Sequence, residues 1–331
     1  PDIQSIAPDA EIEYMPKVDL EVPIHLQDFF ADYPLAPEKQ IKYTSGEKLL
    51  QTLLPKKNYV VHYRALQTYM KFGMKVIKIH GALKFKQSLW MKDYIEENIR
   101  KHKIAKANKE EFGVMYYKLK NNAVFEKQIE NVCKHMRVEL LHSDQDKKLK
   151  RLVSSPLYVG FKAFEGGFTA VHMLKSTVTL NKPIYVGQAI LDISKAMMFN
   201  FWYSYIKPRY GDKACLLYTD TDLLIMWIET EDIYKDRAER PDIFNLDYSG
   251  DLFLMKDETK GDPIGESVCL KPKMYSVFPS GHNPNTPKTE AKFEKDKFKR
   301  HGIQKAKGVK KCVVKRELRH DKFLECLRSK K

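Results

Sequence analysis

Apolar and polar residues alternate along several stretches of the chain, which is the pattern of β-strands with one face buried. The clearest stretch is MKVIKIHGALKFKQ (74–87), and shorter ones are NYVVHY (58–63), PLYVGFKAF (156–164) and FTAVHML (168–174). Gly166 and Gly167 separate the last two stretches, and a pair of glycines is typical of a turn. The alternation therefore predicts strands at these positions, the last two joined by a tight turn.

Other stretches repeat apolar residues every three or four positions, as amphipathic helices do. They are RALQTYMKFG (64–73), ended by Gly73, then residues 88–107 and 109–136, and finally residues 185–211, ended by Pro208 and Gly211. Ala107 and Asn108 form a short link, so residues 88–136 predict an antiparallel αα-hairpin. The apolar stripe of its second helix is interpreted as ordinary core packing, and it comprises Phe112, Met115, Leu119, Ala123, Ile129, Val132 and Met136.

Size and composition limit the classes of protein that are compatible with this pattern. The 331 residues exceed one typical domain, so two or three lobes are expected, and the 43% apolar content predicts a packed core. No apolar run approaches the roughly 20 residues that span a bilayer, so no membrane partner is predicted. From about residue 276 the chain is polar and rich in lysine, and GHNPNTPK (281–288) is interpreted as a linker.

The net charge of +15 suggests a polyanionic partner, although a solvated basic surface would give the same number. The five cysteines include no CxxC pair, which favours reduced thiols in the cytosol or nucleus over a zinc site. The net charge therefore favours an anionic ligand, and the cysteines predict neither a zinc site nor a disulfide.

Two aspartates stand between two apolar runs of strand length, ACLLY (214–218) and LLIMWI (223–228). The four residues TDTD between them predict a β-hairpin with a tight loop. In extended geometry Asp220 and Asp222 would project to one side, where two carboxylates repel unless a cation lies between them. Mg²⁺ suits such oxygen ligands, but aspartate and threonine are also ordinary turn residues, so both readings stay open.

A second set of residues could meet a nucleoside triphosphate. Lys118, Asn122 and Phe125 lie at i, i+4 and i+7 of the second hairpin helix and would share a face. A lysine can meet phosphates as a point charge, with the aromatic ring near the base. Arg100, Lys103 and Lys106 add positive charge near the turn of the hairpin. The simpler alternative is a solvent-exposed lysine on a helix surface.

The combination of YYKLKNNAVFEK (116–127) and, about a hundred residues later, YTDTD (218–222) resembles motifs B and C of family B DNA polymerases. Further stretches resemble the protein-primed polymerases of Maverick/Polinton-type transposons and related viruses. These are YPLAPEK (33–39), residues 59–88, KPIYVGQAILDISKAMMFNF (182–201), KPKMYSV (271–277) and KAKGVKK (305–311). The resemblance covers the chain from about residue 18 to near its end.

This resemblance implies an α+β fold of the right-hand polymerase type, incomplete at the N-terminus. Residues 1–87 would be the palm segment after motif A, with an insertion, and residues 88–137 the fingers. Residues 138–275 would be the palm with motif C, and residues 276–331 the thumb. The implied reaction transfers deoxynucleotides to a primer 3′-hydroxyl by two-metal phosphoryl transfer with two Mg²⁺ ions.

The resemblance also assigns roles to single residues. Asp220 and Asp222 would be the catalytic metal ligands. Nucleotide-binding roles fall on Lys118, Asn122, Lys106 and Phe125, and DNA-binding roles fall on Tyr218, Thr219, Thr221, Lys273, Tyr275, Lys305 and Lys307. The implied partners are primer-template DNA, deoxynucleoside triphosphates and a terminal priming protein. For an element resident in a eukaryotic genome the implied location is the nucleus.

The chain departs from the family pattern at several positions. The motif A aspartate is expected upstream of residue 1, which would leave the metal pair short of a main ligand. Glu126 and Ala123 replace a glycine and a serine of motif B, and Leu223 replaces the serine after the aspartates. The chain by itself is therefore expected not to extend primers.

Two alternatives to an active polymerase follow from these departures and from the aspartate pair. One is a catalytically dead relic that at most binds DNA through its basic surface. The other is a glycosyltransferase, whose DxD motif holds a metal and a nucleotide sugar. The helix that carries Lys118 and the basic C-terminal segment argue against the glycosyltransferase.

Overall fold

The computed structural model describes residues 2–41, 47–247, 251–280 and 302–329. Helices and mostly antiparallel strands are mixed along the chain, so the predicted α+β class is confirmed. The chain divides into two compact units, a first unit of Pro1–Asp28 with Leu35–Met197 and a second unit of Phe29–Pro34 with Met198–Lys331. Among the described residues, no helix combines the length and the apolar character that crossing a bilayer requires.

The first unit begins with a three-stranded antiparallel sheet and the helix that follows its outer strand. The elements are β1 (Ile12–Glu21), β2 (Glu38–Ile41), β3 (Glu47–Leu50), β4 (Lys56–Val60), α1 (Tyr63–Lys71) and β5 (Lys75–Lys86). The sheet order is β4-β1-β5, and β2 pairs with β3 separately. Val18 and Leu20 of β1 are buried, as are Tyr63 and Leu66 of α1. Gly73 follows the helix at φ +97°, a conformation that favours glycine, and this confirms the predicted stop.

The predicted αα-hairpin is confirmed. It consists of α2 (Lys92–Ala107) and α3 (Glu111–Gln128). Near the turn, a Cβ added to Gly113 would lie 2.8 Å from the Cβ of Ala105. Farther away, the Lys120 ammonium lies 5.2 Å from the ring centre of Tyr94. Later residues of α3 therefore lie beside earlier residues of α2, so the two helices are antiparallel.

The interpretation of the apolar stripe as core packing is wrong for its first three residues, whereas Ala123, Ile129 and Val132 farther along are half-buried. Phe112, Met115 and Leu119 are 72%, 64% and 59% exposed, whereas the side of α3 at Gly113 is the buried one. Periodicity identifies a helical stripe, but only a neighbouring element decides whether the stripe is covered. The helix also ends at Gln128, before the predicted position 136, and a 3₁₀ turn capped by Asn131 follows it.

A second small sheet follows in the first unit, ahead of a long helix. Its elements are β6 (Met136–His142), α4 (Asp146–Val153), β7 (Tyr158–Ala163) and β8 (Phe168–Leu174), with the strand order β6-β8-β7. Leu141, Val171 and Met173 form a buried cluster with Leu152 of α4. Gly166 and Gly167 both have positive φ angles between β7 and β8, which confirms the predicted turn.

The predicted long helix is present, but Pro208 does not end it. The helix α5 (Ile184–Phe201) continues through a π-helical turn, Trp202–Ile206, into α6 (Lys207–Tyr210). In the π turn the Lys207 N–H donates to the Trp202 carbonyl, five residues back. This wider turn rearranges the hydrogen-bond ladder just where the proline lacks an N–H, so the helix tolerates it. The chain leaves the helical conformation only at Gly211, where φ is +56°.

The remaining elements belong to the second unit. They are β9 (Ala214–Asp220), β10 (Leu223–Ile228), α7 (Ile233–Ala238), β11 (Phe244–Asn245), β12 (Met255–Lys256), β13 (Ile264–Lys271), β14 (Met274–Pro279), β15 (Ile303–Ala306), α8 (Lys311–Arg316) and α9 (His320–Ser329). Strands β9 and β10 form an antiparallel pair, and β13, β14 and β15 form an antiparallel sheet in that order. The predicted linker, residues 281–288, lies outside the described residues.

Candidate active site

The two aspartates lie at the tip of the predicted hairpin. Leu223 pairs with Asp220, so the loop contains only Thr221 and Asp222. The Asp222 N–H donates to the Asp220 carbonyl at 2.7 Å across Thr221, whose φ is +59°. This combination is that of a γ-turn, which is strained for a β-branched residue. The hairpin is confirmed, but the extended geometry assumed across Thr221 is wrong, because the backbone turns there.

A lysine from another strand connection contacts this hairpin. Lys273 lies between β13 and β14 with φ +61°, and its N–H donates to the Tyr218 hydroxyl at 2.8 Å. Its ammonium lies 3.1 Å from Oδ1 of Asp220. The sequence around the aspartates contains no cation, so this ion pair is a product of the tertiary structure.

Two tyrosines form the apolar base of the site. The rings of Tyr218 and Tyr275 lie 5.0 Å apart, and Tyr275 is buried with Ile225 and Val277. Burial raises the pKa of Tyr275 to about 12, and the neighbouring Tyr218 and Asp220 add to this effect. The Tyr275 phenol is therefore neutral at physiological pH. Leu223 packs against the same cluster, which gives the leucine at this position a structural role.

Two further predicted residues are carried to the site by β15. In the register of β14 and β15, Lys305 stands opposite Tyr275. The Lys307 N–H donates to the Lys273 carbonyl at 3.0 Å. The side chains of Lys305 and Lys307 are exposed. Lys273 therefore contacts the carboxylate hairpin directly, whereas Lys305 and Lys307 are connected through their backbones to Tyr275 and Lys273.

The predicted nucleotide-binding residues belong to the first unit. Lys118, Asn122 and Phe125 lie on α3, as their spacing requires, and Lys106 lies on α2. Phe125 is half-buried, while Lys118, Asn122 and Lys106 are exposed. Their roles in nucleotide binding stay predictions.

The carboxylates suit a hard divalent cation, although they are only two. No group of three or more His, Cys, Asp or Glu side chains suitable for a metal occurs in the part of the chain that the structure describes. Carboxylate oxygens are nevertheless the ligands that Mg²⁺ prefers, with water and phosphate completing its shell. The Lys273 ammonium next to Asp220 indicates that this carboxylate accommodates a positive charge. The chemistry of Asp220 thus suits a cation, and the joint binding of Mg²⁺ by Asp220 and Asp222 stays a prediction.

The chain was also compared with known proteins. No protein-family model, curated protein or solved structure matches it. The resemblance to family B polymerases consequently depends on the short motifs at residues 116–127 and 218–222 and on the further stretches quoted above.

Sequence reasoning selected the residues of the site but missed the contacts between them. The lysine-tyrosine pair of KPKMYSV was expected to bind DNA, and it also contacts the hairpin through Tyr218 and Asp220. No local signal in the sequence predicts this contact, because Lys273 and Tyr218 belong to separate strand pairs that are 55 residues apart.

Proposed function

We propose that this chain is the polymerase region of a protein-primed, family B DNA polymerase. Its reaction would add deoxynucleotides to a primer 3′-hydroxyl under the direction of a template, in the replication of a mobile element or virus. In this right-hand arrangement residues 88–137 are the fingers, residues 1–87 and 138–275 the palm, and residues 276–331 the thumb. A chain encoded in a eukaryotic genome would act in the nucleus.

The observation that carries this proposal is the contact between two motifs. Lys273 and Tyr218 are 55 residues apart in sequence, yet the backbone of one donates to the hydroxyl of the other. The resemblance assigns the first a role in binding DNA, and the second lies on the strand that leads to the aspartates. A polymerase requires these two parts to adjoin, so their contact supports the proposal.

The residues of the second unit can be given roles from their chemistry. Asp220 and Asp222 would hold Mg²⁺, which, when bound, activates the primer hydroxyl and stabilises the leaving pyrophosphate. Lys273 is half exposed, so its ammonium can reach a primer phosphate as well as Asp220. Lys305 and Lys307 are exposed cations that suit the DNA backbone.

The resemblance assigns nucleotide binding to residues of the first unit. Lys118 would meet the triphosphate as a point charge, with Lys106 as a second cation. Asn122 and Phe125 extend the same helix face, where an amide can hydrogen-bond and a ring can pack against a base. Glu126 is exposed on α3 and would repel phosphates, so its removal is expected to strengthen nucleotide binding.

Primer extension by the full gene product tests the proposal. Asp220→Asn and Asp222→Asn are each expected to lower incorporation on a labelled primer-template at least about a hundredfold, since metal stabilisation amounts to several kcal/mol. Asp212→Asn is the matched control, because Asp212 is an exposed aspartate that precedes the same hairpin. Full extension by the Asp222→Asn variant would contradict the proposal. DNA binding without extension by the unaltered product would favour the inactive relic.

A further inference from the structure

An aromatic ladder runs along the exposed side of the helical hairpin. The rings of Phe112 and Tyr116 stack with centres 5.6 Å apart and an interplanar angle of 14°. The Lys120 ammonium lies 5.6 Å from the Tyr116 ring and 5.2 Å from the Tyr94 ring. These four side chains are called the aromatic ladder below.

The ladder is open to its surroundings. Phe112 is 72% exposed, and Tyr116 and Tyr94 are 43% and 40% exposed. Met115 and Leu119, on the same stripe of α3, are also exposed. Contiguous exposed apolar surface of this kind marks a site of interaction. Some ligand is therefore expected to cover these rings.

The charges around the ladder indicate what that ligand is. Lys120 is part of the ladder, and Lys101, which also pairs with Glu97, lies 6.0 Å from the ring of Tyr117, the neighbour of Tyr116. Aromatic rings interleaved with ammonium groups match a strand of unpaired nucleotides, whose bases stack on rings while phosphates meet the cations. A groove for a protein helix would instead be apolar, with charge confined to its rim.

We propose that the aromatic ladder binds single-stranded DNA, with bases stacked on Phe112 and Tyr116 and a phosphate neutralised by Lys120. DNA is favoured over RNA because Met115 and Leu119 adjoin the rings. Their side chains are apolar and offer no hydrogen bond to a 2′-hydroxyl, whereas they can pack against deoxyribose and thymine methyl groups.

This site is independent of the proposed metal chemistry. The ladder lies in the first unit, and Asp220 and Asp222 lie in the second. Binding to the ladder requires no divalent cation, so it is expected to persist in EDTA and in the Asp222→Asn variant. Loss of primer extension and loss of strand binding can therefore be distinguished.

Fluorescence anisotropy with a labelled thymidine oligonucleotide of roughly 16 nucleotides tests the proposal in EDTA. The double variant Phe112→Ala, Tyr116→Ala is expected to bind about tenfold or more weakly, which is a conservative value for the loss of two stacking rings. Tyr116→Phe keeps the ring and should retain affinity. Phe253→Ala is the matched control, because Phe253 is 79% exposed in the second unit.

Two further arms make the result independent of how well the double variant folds. An abasic oligonucleotide of the same length should bind the unaltered protein more weakly than the thymidine oligonucleotide, since stacking is absent. Lys120→Ala should reduce the slope of log affinity against log salt by about 0.7, the value for one phosphate contact on a single strand.

Several results would overturn the proposal. Equal binding of thymidine and abasic oligonucleotides by the unaltered protein would exclude stacking. An equal loss of affinity in Phe253→Ala would show that the effect is not local. Tighter binding of the matching RNA would exclude the preference for DNA. A change in sedimentation caused by the double variant, without a change in DNA binding, would identify the ladder as a surface for self-association.

Discussion

Replacing Lys273 by methionine tests the ion pair at the candidate active site. The ammonium lies 3.1 Å from Asp220 Oδ1, and the two side chains are 50% and 27% exposed. At that distance the Coulomb energy is about 5 kcal/mol for an effective dielectric constant near 20 and about 1 kcal/mol in water. Because the lysine is half in solvent, the lower value is appropriate, and it agrees with exposed ion pairs in general.

A divalent cation at Asp220 has to compete with this ammonium. The Lys273→Met variant is therefore expected to bind the cation more tightly, by about fivefold, which corresponds to about 1 kcal/mol. A titration with Mn²⁺, with the free ion measured by electron paramagnetic resonance, gives the affinity directly. Lys271→Met is the control. Lys271 is an exposed lysine at the end of β13, so its replacement removes the same charge at a different position.

The outcome depends on the difference between the two lysine variants. Equal affinity in Lys273→Met and Lys271→Met would mean that only net charge matters and would refute competition at Asp220. Weaker binding in Lys273→Met would show that the lysine helps to hold the cation site together. Adding Asp220→Asn to both variants is expected to remove the difference between them.

Two stability predictions concern the first unit. Gly187→Ala should lower the free energy of unfolding by about 1–3 kcal/mol in urea titrations, because its Cβ would lie within contact distance of Ile129. Gly81→Ala, with open space around the new Cβ, should change it by less than about 0.5 kcal/mol, and similar losses in both variants would refute this reasoning. Hydrogen bonds from Lys182, Lys127 and His135 lower the pKa of Glu130 to about 2. The stability that these bonds contribute is thus present above the unfolded pKa, about 4.3, and is lost as the pH falls towards 2. Glu130→Gln should therefore unfold at lower urea concentration than the unaltered protein at pH 7 but equally at pH 2, and a constant difference would contradict the assignment.

The choice of secondary structure was largely accessible from the sequence. Alternation over residues 74–87 predicted β5, and apolar spacing predicted α1 and the helical hairpin, because these patterns follow from the geometry of single elements. Local signals also located the stops at Gly73 and Gly211, where positive φ angles favour glycine. The stop at Pro208 was wrong, because a π turn in the preceding residues accommodates the proline.

The tertiary structure decided which faces are covered. The stripe of Phe112, Met115 and Leu119 has the spacing of a core stripe, yet α2 packs on the side of α3 at Gly113 instead. Spacing along one helix reports the direction of an apolar face but contains no information about its neighbours. The exposure of the aromatic ladder therefore could not be predicted from the sequence.

The chemistry of the site divides in the same way. The sequence by itself determined that Asp220 and Asp222 occupy a tight hairpin, because turn residues between two apolar runs specify one locally. Only the tertiary structure decided that Lys273 neutralises Asp220 and that Tyr275 packs on Tyr218, since both contacts join segments more than fifty residues apart. Which distant strands pair depends on how the faces of the whole sheet are buried, and a local sequence pattern does not specify that burial.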